Sequence, residues 1–251
     1  MTQVISNSWT MTKRCLKTSL RNPDNIAAAI FIPAIVMALF GLLFKNVINV
    51  GDYNYIDFIV PGIILQTVAQ AVTGVAISVN NDMKKGMNDR FRSMHISKSS
   101  VLTGHVLSAI VRNMIATAVV IGVAFILGFR PQAGFTEWLI IAGLLILYML
   151  GVTWIAVICG IIAKSPEAAG TMPFLLFVLP YISSGFVPVE TMPNVLRQFA
   201  ENQPMTPIVD SLRALTLGLP IGDNLTLALF WSVLIIAVTF VIAVGLYKKK
   251  T

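Results

Sequence analysis

Charge is what this chain has least of. Only 12% of its 251 residues are Asp, Glu, Lys or Arg, about half the ~25% usual in soluble domains. Two cysteines, Cys15 and Cys159, make no disulfide framework, and no CxxC or Cys/His cluster offers a metal site. The G-x-x-x-x-G-K-[ST] loop is missing, so the chain does not cradle nucleotide phosphates itself. Neither G-x-S-x-G nor H-E-x-x-H occurs, and no carboxylate pair converges. No catalytic, cofactor-binding or metal-binding residue is therefore assigned, and His95 and His105, standing singly, receive no proton or metal role. No acid or lysine falls deep in an apolar run, where a charge costs at least about 2.5–3.5 kcal/mol. Proton- and sodium-coupled carriers usually rely on such residues, so the energy source is expected to lie outside the chain.

What is abundant is apolar surface, 56% of the residues. Six stretches approach the ~17–25 residues that cross hydrocarbon as a helix: 26–44, 58–79, 106–128, 138–163, 171–187 and 224–246. The fifth carries Pro173 and Pro180 and is expected to kink or break. The residues outside these runs make no βαβ pattern. The expected fold is all-α and integral to a membrane, six transmembrane helices in a single domain over 1–251. The first apolar run is too long for a cleavable signal peptide and lacks a suitable small-residue cleavage site.

Lys and Arg orient the spans. With the N-terminus inside, 14 of the 18 basic residues fall on the cytoplasmic side, and only Lys45, Arg130, Arg197 and Arg213 outside. Both termini are thus expected in the cytoplasm of a multi-pass protein of the cell membrane. The net +7 reflects this topology and contact with anionic lipid, and nucleic acid explains it poorly.

Two basic segments mark the inner face. Within 1–25, residues 4–21 form an amphipathic helix with Ile5, Trp9, Thr12, Leu16 and Leu20 in one arc. Lys13, Arg14, Lys17 and Arg21 fill the neighbouring arc. Such a helix is expected to lie flat on the inner leaflet, as a passive anchor or with its basic face, Trp9 included, against a cytoplasmic partner. The second segment, 81–105, is far longer than a chain reversal needs. Met87, Phe91 and Met94 recur on one helical face, Arg90, Arg92 and Lys98 surround it, and Asp82 and Asp89 favour its start. A docking surface for a protein is expected here; a solvated interfacial loop is the plainer alternative.

These residues carry a resemblance. Asn81 to Met94, with Asp82, Gly86 and the run Asp89-Arg90-Phe91-Arg92-Ser93, is similar to the cytoplasmic loop of type-2 (ABC-2) export permeases of the daunorubicin-resistance type, where D-x-x-x-G-x-x-D-R-F-R-S is characteristic. Ser184 to Pro193, Phe199 to Pro207 and Asp210 to Leu215 resemble that family's outer segment. The likeness covers nearly the whole chain; Met94-His95 departs from it, where a Pro often follows. It implies a dimer of permease subunits, identical or related, each resting on a separate ATPase subunit that alone binds ATP and Mg. It also implies that the short loop helix inserts into the ATPase, with the N-terminal helix as a second contact.

The outer segment, 188–220, is apolar yet broken by Pro188, Pro193, Pro204, Pro207 and Pro220. Thr206 with Pro207 reads as an N-cap with proline at N1. Ile208, Val209, Leu212 and Leu215 make a stripe ending near Gly218. A shorter helix over 191–200 is expected to turn Val195, Leu196 and Phe199 inward. Together they read as re-entrant helices capping the bundle, with a flat interfacial helix as the alternative. Arg213 is expected to satisfy carbonyls or to pair with Glu190 or Asp210. In the second span Gln66, Gln70 and Thr73 share one face and should meet protein or a cavity. Interhelical glue is the plainer role; the resemblance favours a wall of the export path. Phe174, Phe177 and Phe186 are candidates for an apolar gate.

The reading is a permease subunit of an exporter for a drug-like, peptide or lipidic amphipathic substrate, without enzymatic activity of its own. Alternatives are a permease for lipid-linked polysaccharide or another envelope precursor, and a membrane anchor that recruits a cytoplasmic protein through residues 82–98.

Overall fold

The computed structural model describes residues 10–16, 23–44, 53–84 and 98–250. Its elements are helical: α1 at 10–16, α2 Pro23–Leu43, α3 Tyr55–Lys84, α4 Lys98–Leu127, α5 Phe135–Ile162, α6 Pro166–Thr171, α7 Phe174–Val178, α8 Asn194–Asn202, α9 Met205–Leu217 and α10 Asn224–Lys250. Short 3-10 turns occupy Leu179–Ile182 and Val189–Thr191.

Among the described residues, four helices are long and apolar enough to cross a membrane: α3, α4, α5 and α10. Shorter apolar helical stretches cover Phe31–Leu43 and Pro166–Ile182. The fifth expected span is broken at its prolines. Pro173 lies between α6 and α7, and Pro180 sits in the 3-10 turn that follows. Each proline removes a backbone donor and crowds the preceding turn, so an uninterrupted helix is not available there.

Helix α3 is the centre of the molecule. Every residue from Tyr55 to Ala69 is buried, and α3 touches α2, α4, α5, α6, α7 and α9. Helix α5 packs on α3 along one side and on α10 along the other. By contrast α4 and α10 leave large apolar side chains outward, among them Ile115, Ile126, Phe230, Val233 and Val241. That pattern suits lipid, which is as apolar as a protein core and demands no polar face.

The return from the fifth segment differs from expectation in two places. Helix α9 starts at Met205 with Pro204 before it, so Thr206 is not the cap. Its hydroxyl donates instead to the Ala200 carbonyl, 2.6 Å away, and so ties α9 to α8. Helix α9 ends as expected at Gly218, whose φ of 68° closes the helix on the Ala214 carbonyl. The second departure is α8. Val195, Leu196 and Phe199 are exposed, and only Ala200 of this helix is buried. Its apolar face points away from the chain, while Arg197 and Glu201 pair at 2.7 Å beside it.

Candidate functional site

Three levels of α3 carry the polar chemistry. At its last turn sits Asp82, a carboxylate at the end of a helix where the dipole disfavours negative charge. Two donors from other helices offset this. Arg14 of α1 places Nη2 3.3 Å from Oδ1 and Nη1 3.4 Å from Oδ2. His105 of α4 places Nε2 3.1 Å from Oδ2. An ionised carboxylate only accepts, so Nε2 carries the proton of that bond. The other ring nitrogen, Nδ1, is 3.7 Å from Cys15 Sγ. The His105 side chain is only 5% exposed and Asp82 14%.

Helix α1 is seated here through sterics as well as charge. Met11 and Thr12 are buried, and Gly104 leaves room for them: a Cβ at that position would lie 2.5 Å from Met11 Cβ. The described part of the N-terminal segment therefore rests on protein, and Met11 takes a place that the apolar arc did not assign to it. Lys13 is exposed beside it. Two more contacts close this end of the bundle. Asn80 donates to the Gly160 and Ala163 carbonyls at 3.0 and 2.7 Å. Lys250 of α10 donates to the Ile161 carbonyl at 2.5 Å, so two of the last carbonyls of α5, Gly160 and Ile161, are satisfied by side chains.

Halfway along α3, Gln66 is wholly buried, and among the described residues neither atom of its amide has a hydrogen-bond partner. The Gln70 carbonyl oxygen is likewise unpartnered. Thr73, on the same face, lies against Gly170 of α6. This face of α3 thus turns toward the broken fifth segment. Burying an amide without a partner costs about 1–3 kcal/mol, so these side chains are poor packing material. Asn113 and Thr117 of α4 are also buried, their side chains without a partner among the described residues.

At the far end of α3, Arg213 of α9 is the central cation. It donates to Asp210 Oδ1 at 2.7 Å, to the Phe58 carbonyl at 3.2 Å and to the Ser184 carbonyl. Its guanidinium lies 3.8 Å from the Phe58 ring centroid, a cation–π geometry. The Ser184 hydroxyl donates to the same Asp210 oxygen at 2.6 Å. Burial raises the Asp210 carboxyl above its ordinary range and brings the Arg213 guanidinium down to about 10, which keeps it a cation at neutral pH. Of the two carboxylates expected for Arg213, Asp210 takes the contact. Beside it, Gly62 and Gly185 meet so closely that a Cβ on Gly62 would lie 2.4 Å from the Gly185 oxygen.

The three candidate gate phenylalanines belong to one row of rings, joined by a residue the sequence did not single out. Phe174 meets Phe177 at 5.9 Å, Phe177 meets Tyr181 at 5.7 Å and Tyr181 stacks on Phe186 at 4.6 Å. The row continues through Phe40, Phe44 and Tyr55 to Phe58, under Arg213. Phe186 is buried while Phe174 is 62% exposed, so the three do not form one closed plug. Tyr55 fixes the row by donating to the Phe186 carbonyl at 3.0 Å. Of the prolines in the segment 188–207, Pro207 is buried, Pro188 and Pro204 are half-buried and Pro193 is exposed.

Gly86, Met87, Asp89, Arg90, Phe91, Arg92, Ser93 and Met94 lie outside the described residues, as do Trp9 and Lys17. Two expectations about the inner face are corrected. Asp82 belongs to the last turn of α3 and does not begin a separate loop helix. His105 stands inside α4 with a carboxylate partner.

Residues 6–217 match the ABC-2 type transporter family. The chain is 28% identical over 249 residues to a daunorubicin resistance ABC transporter permease protein, DrrB1, of Streptomyces coeruleorubidus, covering 98% of this chain and 87% of that one. It is 21% identical to a probable doxorubicin resistance ABC transporter permease protein, DrrC, of Mycobacterium tuberculosis, over 98% and 90% of the two chains. An inner membrane transport permease of Escherichia coli, YadH, is 23% identical over 74% of this chain and 75% of its own.

Proposed function

The chain belongs to the ABC-2 type transporter family, and on that footing we propose that it is the membrane permease subunit of an ATP-driven exporter of drug-like amphipathic compounds. The observation that carries this reading is the extent of the match: it runs from residue 6 to 217 and so takes in both the basic loop and the proline-broken outer segment. The chain supplies the path and the lever, and a separate ATPase subunit holds ATP and Mg and hydrolyses the nucleotide.

Two permease subunits, identical or related, enclose the path. Each folds as one domain that crosses the membrane six times, α2 and the broken fifth segment adding to the four long helices, with α8 and α9 at the outer surface. The Asp82 end faces the cytoplasm, in keeping with 14 of 18 basic residues on that side, and both termini lie there. The loop of residues 85–97, with Asp89 to Ser93, meets the ATPase. Gln66 and Gln70 line the path with hydrogen-bonding groups that carry no charge, which suits a cargo with an apolar body and polar substituents.

The test is reconstitution. Purified from mild detergent, the chain should bring an ATPase subunit with it in stoichiometric amount, and the pair should move daunorubicin across proteoliposomes only with ATP. Recovery of an adaptor or kinase in place of an ATPase would favour the anchoring role. Transport of a lipid-linked sugar, with no drug movement, would favour the envelope-precursor permease.

A further inference from the structure

The Asp82 cluster joins three helices at the root of one loop, and its geometry is not needed for any of them to be a helix. Asp82 and His105 lie 23 positions apart in the chain and bracket residues 85–97. Their contact therefore closes the base of the α3–α4 hairpin. Arg14 reaches the same carboxylate from α1, which Gly104 holds against α4. No other acid lies on α3 between Asp57 and Lys84, or anywhere on α4, so among the described residues this carboxylate is the one anionic joint where the three meet.

We propose that Asp82 is a positioning residue that locks α1, the end of α3 and the start of α4 into one body, so that a push on the loop is delivered to all three together. The inference rests on the permease reading. A loop attached to two independent helices would bend at its roots and dissipate the displacement. With the root clamped by His105 and cross-braced by Arg14, the displacement passes into α3, and along α3 to the Gln66 level and the Arg213 end. Arg14 and His105 act through Asp82, so neither adds much once the other is lost. His105 is buried and Arg14 is 36% exposed at its side chain, which makes Arg14 the gentler site to change.

The experiment uses the complex with its ATPase in proteoliposomes, with daunorubicin as probe. The readout is drug moved per ATP hydrolysed, beside basal hydrolysis and the thermal midpoint of the complex. Asp82→Asn, Arg14→Gln and His105→Gln should each lower drug moved per ATP by about tenfold, the loss expected for one charge-assisted contact, while basal hydrolysis stays within about twofold. Arg14→Gln with His105→Gln should be no worse than the poorer single variant, and Asp82→Glu should restore most of the coupling. If Asp82→Asn fails to fold, Arg14→Gln alone decides, since its side chain is partly solvated. Normal coupling in a folded Arg14→Gln complex, or losses from Arg14 and His105 that multiply, would overturn the joint while leaving the permease reading standing. A wild-type complex that neither moves the drug nor hydrolyses ATP faster in its presence would sink both.

Discussion

The carboxylate of Asp82 and the imidazole of His105 stand 3.1 Å apart across the base of a hairpin. Without that contact, α3 and α4 would be held together by apolar packing alone. With it, and with Arg14 on the other carboxylate oxygen, the end of the bundle that carries the basic loop is braced. The opposite end is braced by an analogous arrangement, in which Arg213 gathers Asp210, Ser184 and Phe58. Helix α3 connects the two, with unpartnered amides between them.

Helix α1 should come loose when its seat is filled. In a chain whose only thiol is Cys15 (Cys159→Ser), Gly104→Ala places a methyl 2.5 Å from Met11 Cβ. Maleimide labelling of Cys15 should then quicken by at least about tenfold, the effect of ~1.4 kcal/mol of local opening. An unchanged labelling rate would mean that α1 is not held at Gly104.

Arg213→Ala should destabilise the chain by about 3–5 kcal/mol, because it leaves Asp210 and two carbonyls without their cation. Thermal unfolding in detergent measures this. Arg213→Lys should recover only part of the loss, since a single ammonium does not reproduce the planar fork that reaches three acceptors.

Gly62→Ala should cost about 1–3 kcal/mol or more, because its new methyl meets the Gly185 backbone at 2.4 Å. Gly143→Ala, with nothing within 4 Å, should be neutral or stabilising by up to about 1 kcal/mol. Equal thermal midpoints for the two variants would contradict the close approach of α3 to the turn at 183–187.

At Gln66 stability and function should separate. Gln66→Leu removes a buried amide without a partner and should leave the thermal midpoint unchanged or raise it, by the equivalent of about 1 kcal/mol. Drug-stimulated ATP hydrolysis should fall in the same variant. A lower midpoint would identify Gln66 as interhelical glue instead.

Phe91→Ala or Arg92→Glu should abolish drug-stimulated hydrolysis in the complex and leave membrane insertion intact. Normal stimulation in both variants would remove the loop from the ATPase contact.

Much of this was legible in the sequence, for reasons that also explain what was not. Pro173 and Pro180 announced the broken fifth segment because a missing donor is a local property. Gly218 announced the end of α9 because its tolerance of positive φ is equally local, and Arg213 called for an acid because a cation in so apolar a segment needs one. The inward turn expected for Val195, Leu196 and Phe199 failed on different physics. In water an apolar stripe must face the core, but beside lipid it is equally satisfied facing out. Amphipathicity alone therefore does not orient α8. The Asp82 joint escaped because its partners lie 68 and 23 positions away, and no periodicity brings Arg14, Asp82 and His105 together. Tyr181 escaped likewise, as its ring joins Phe177 to Phe186 only after the 3-10 turn bends the chain.

The most direct measurement is daunorubicin movement into sealed proteoliposomes holding this chain alone, its ATPase alone, or both. ATP-dependent accumulation against a gradient is expected only where both are present, and should disappear when the ATPase is inactivated. Accumulation by the chain alone, with no nucleotide hydrolase in the vesicle, would contradict the account.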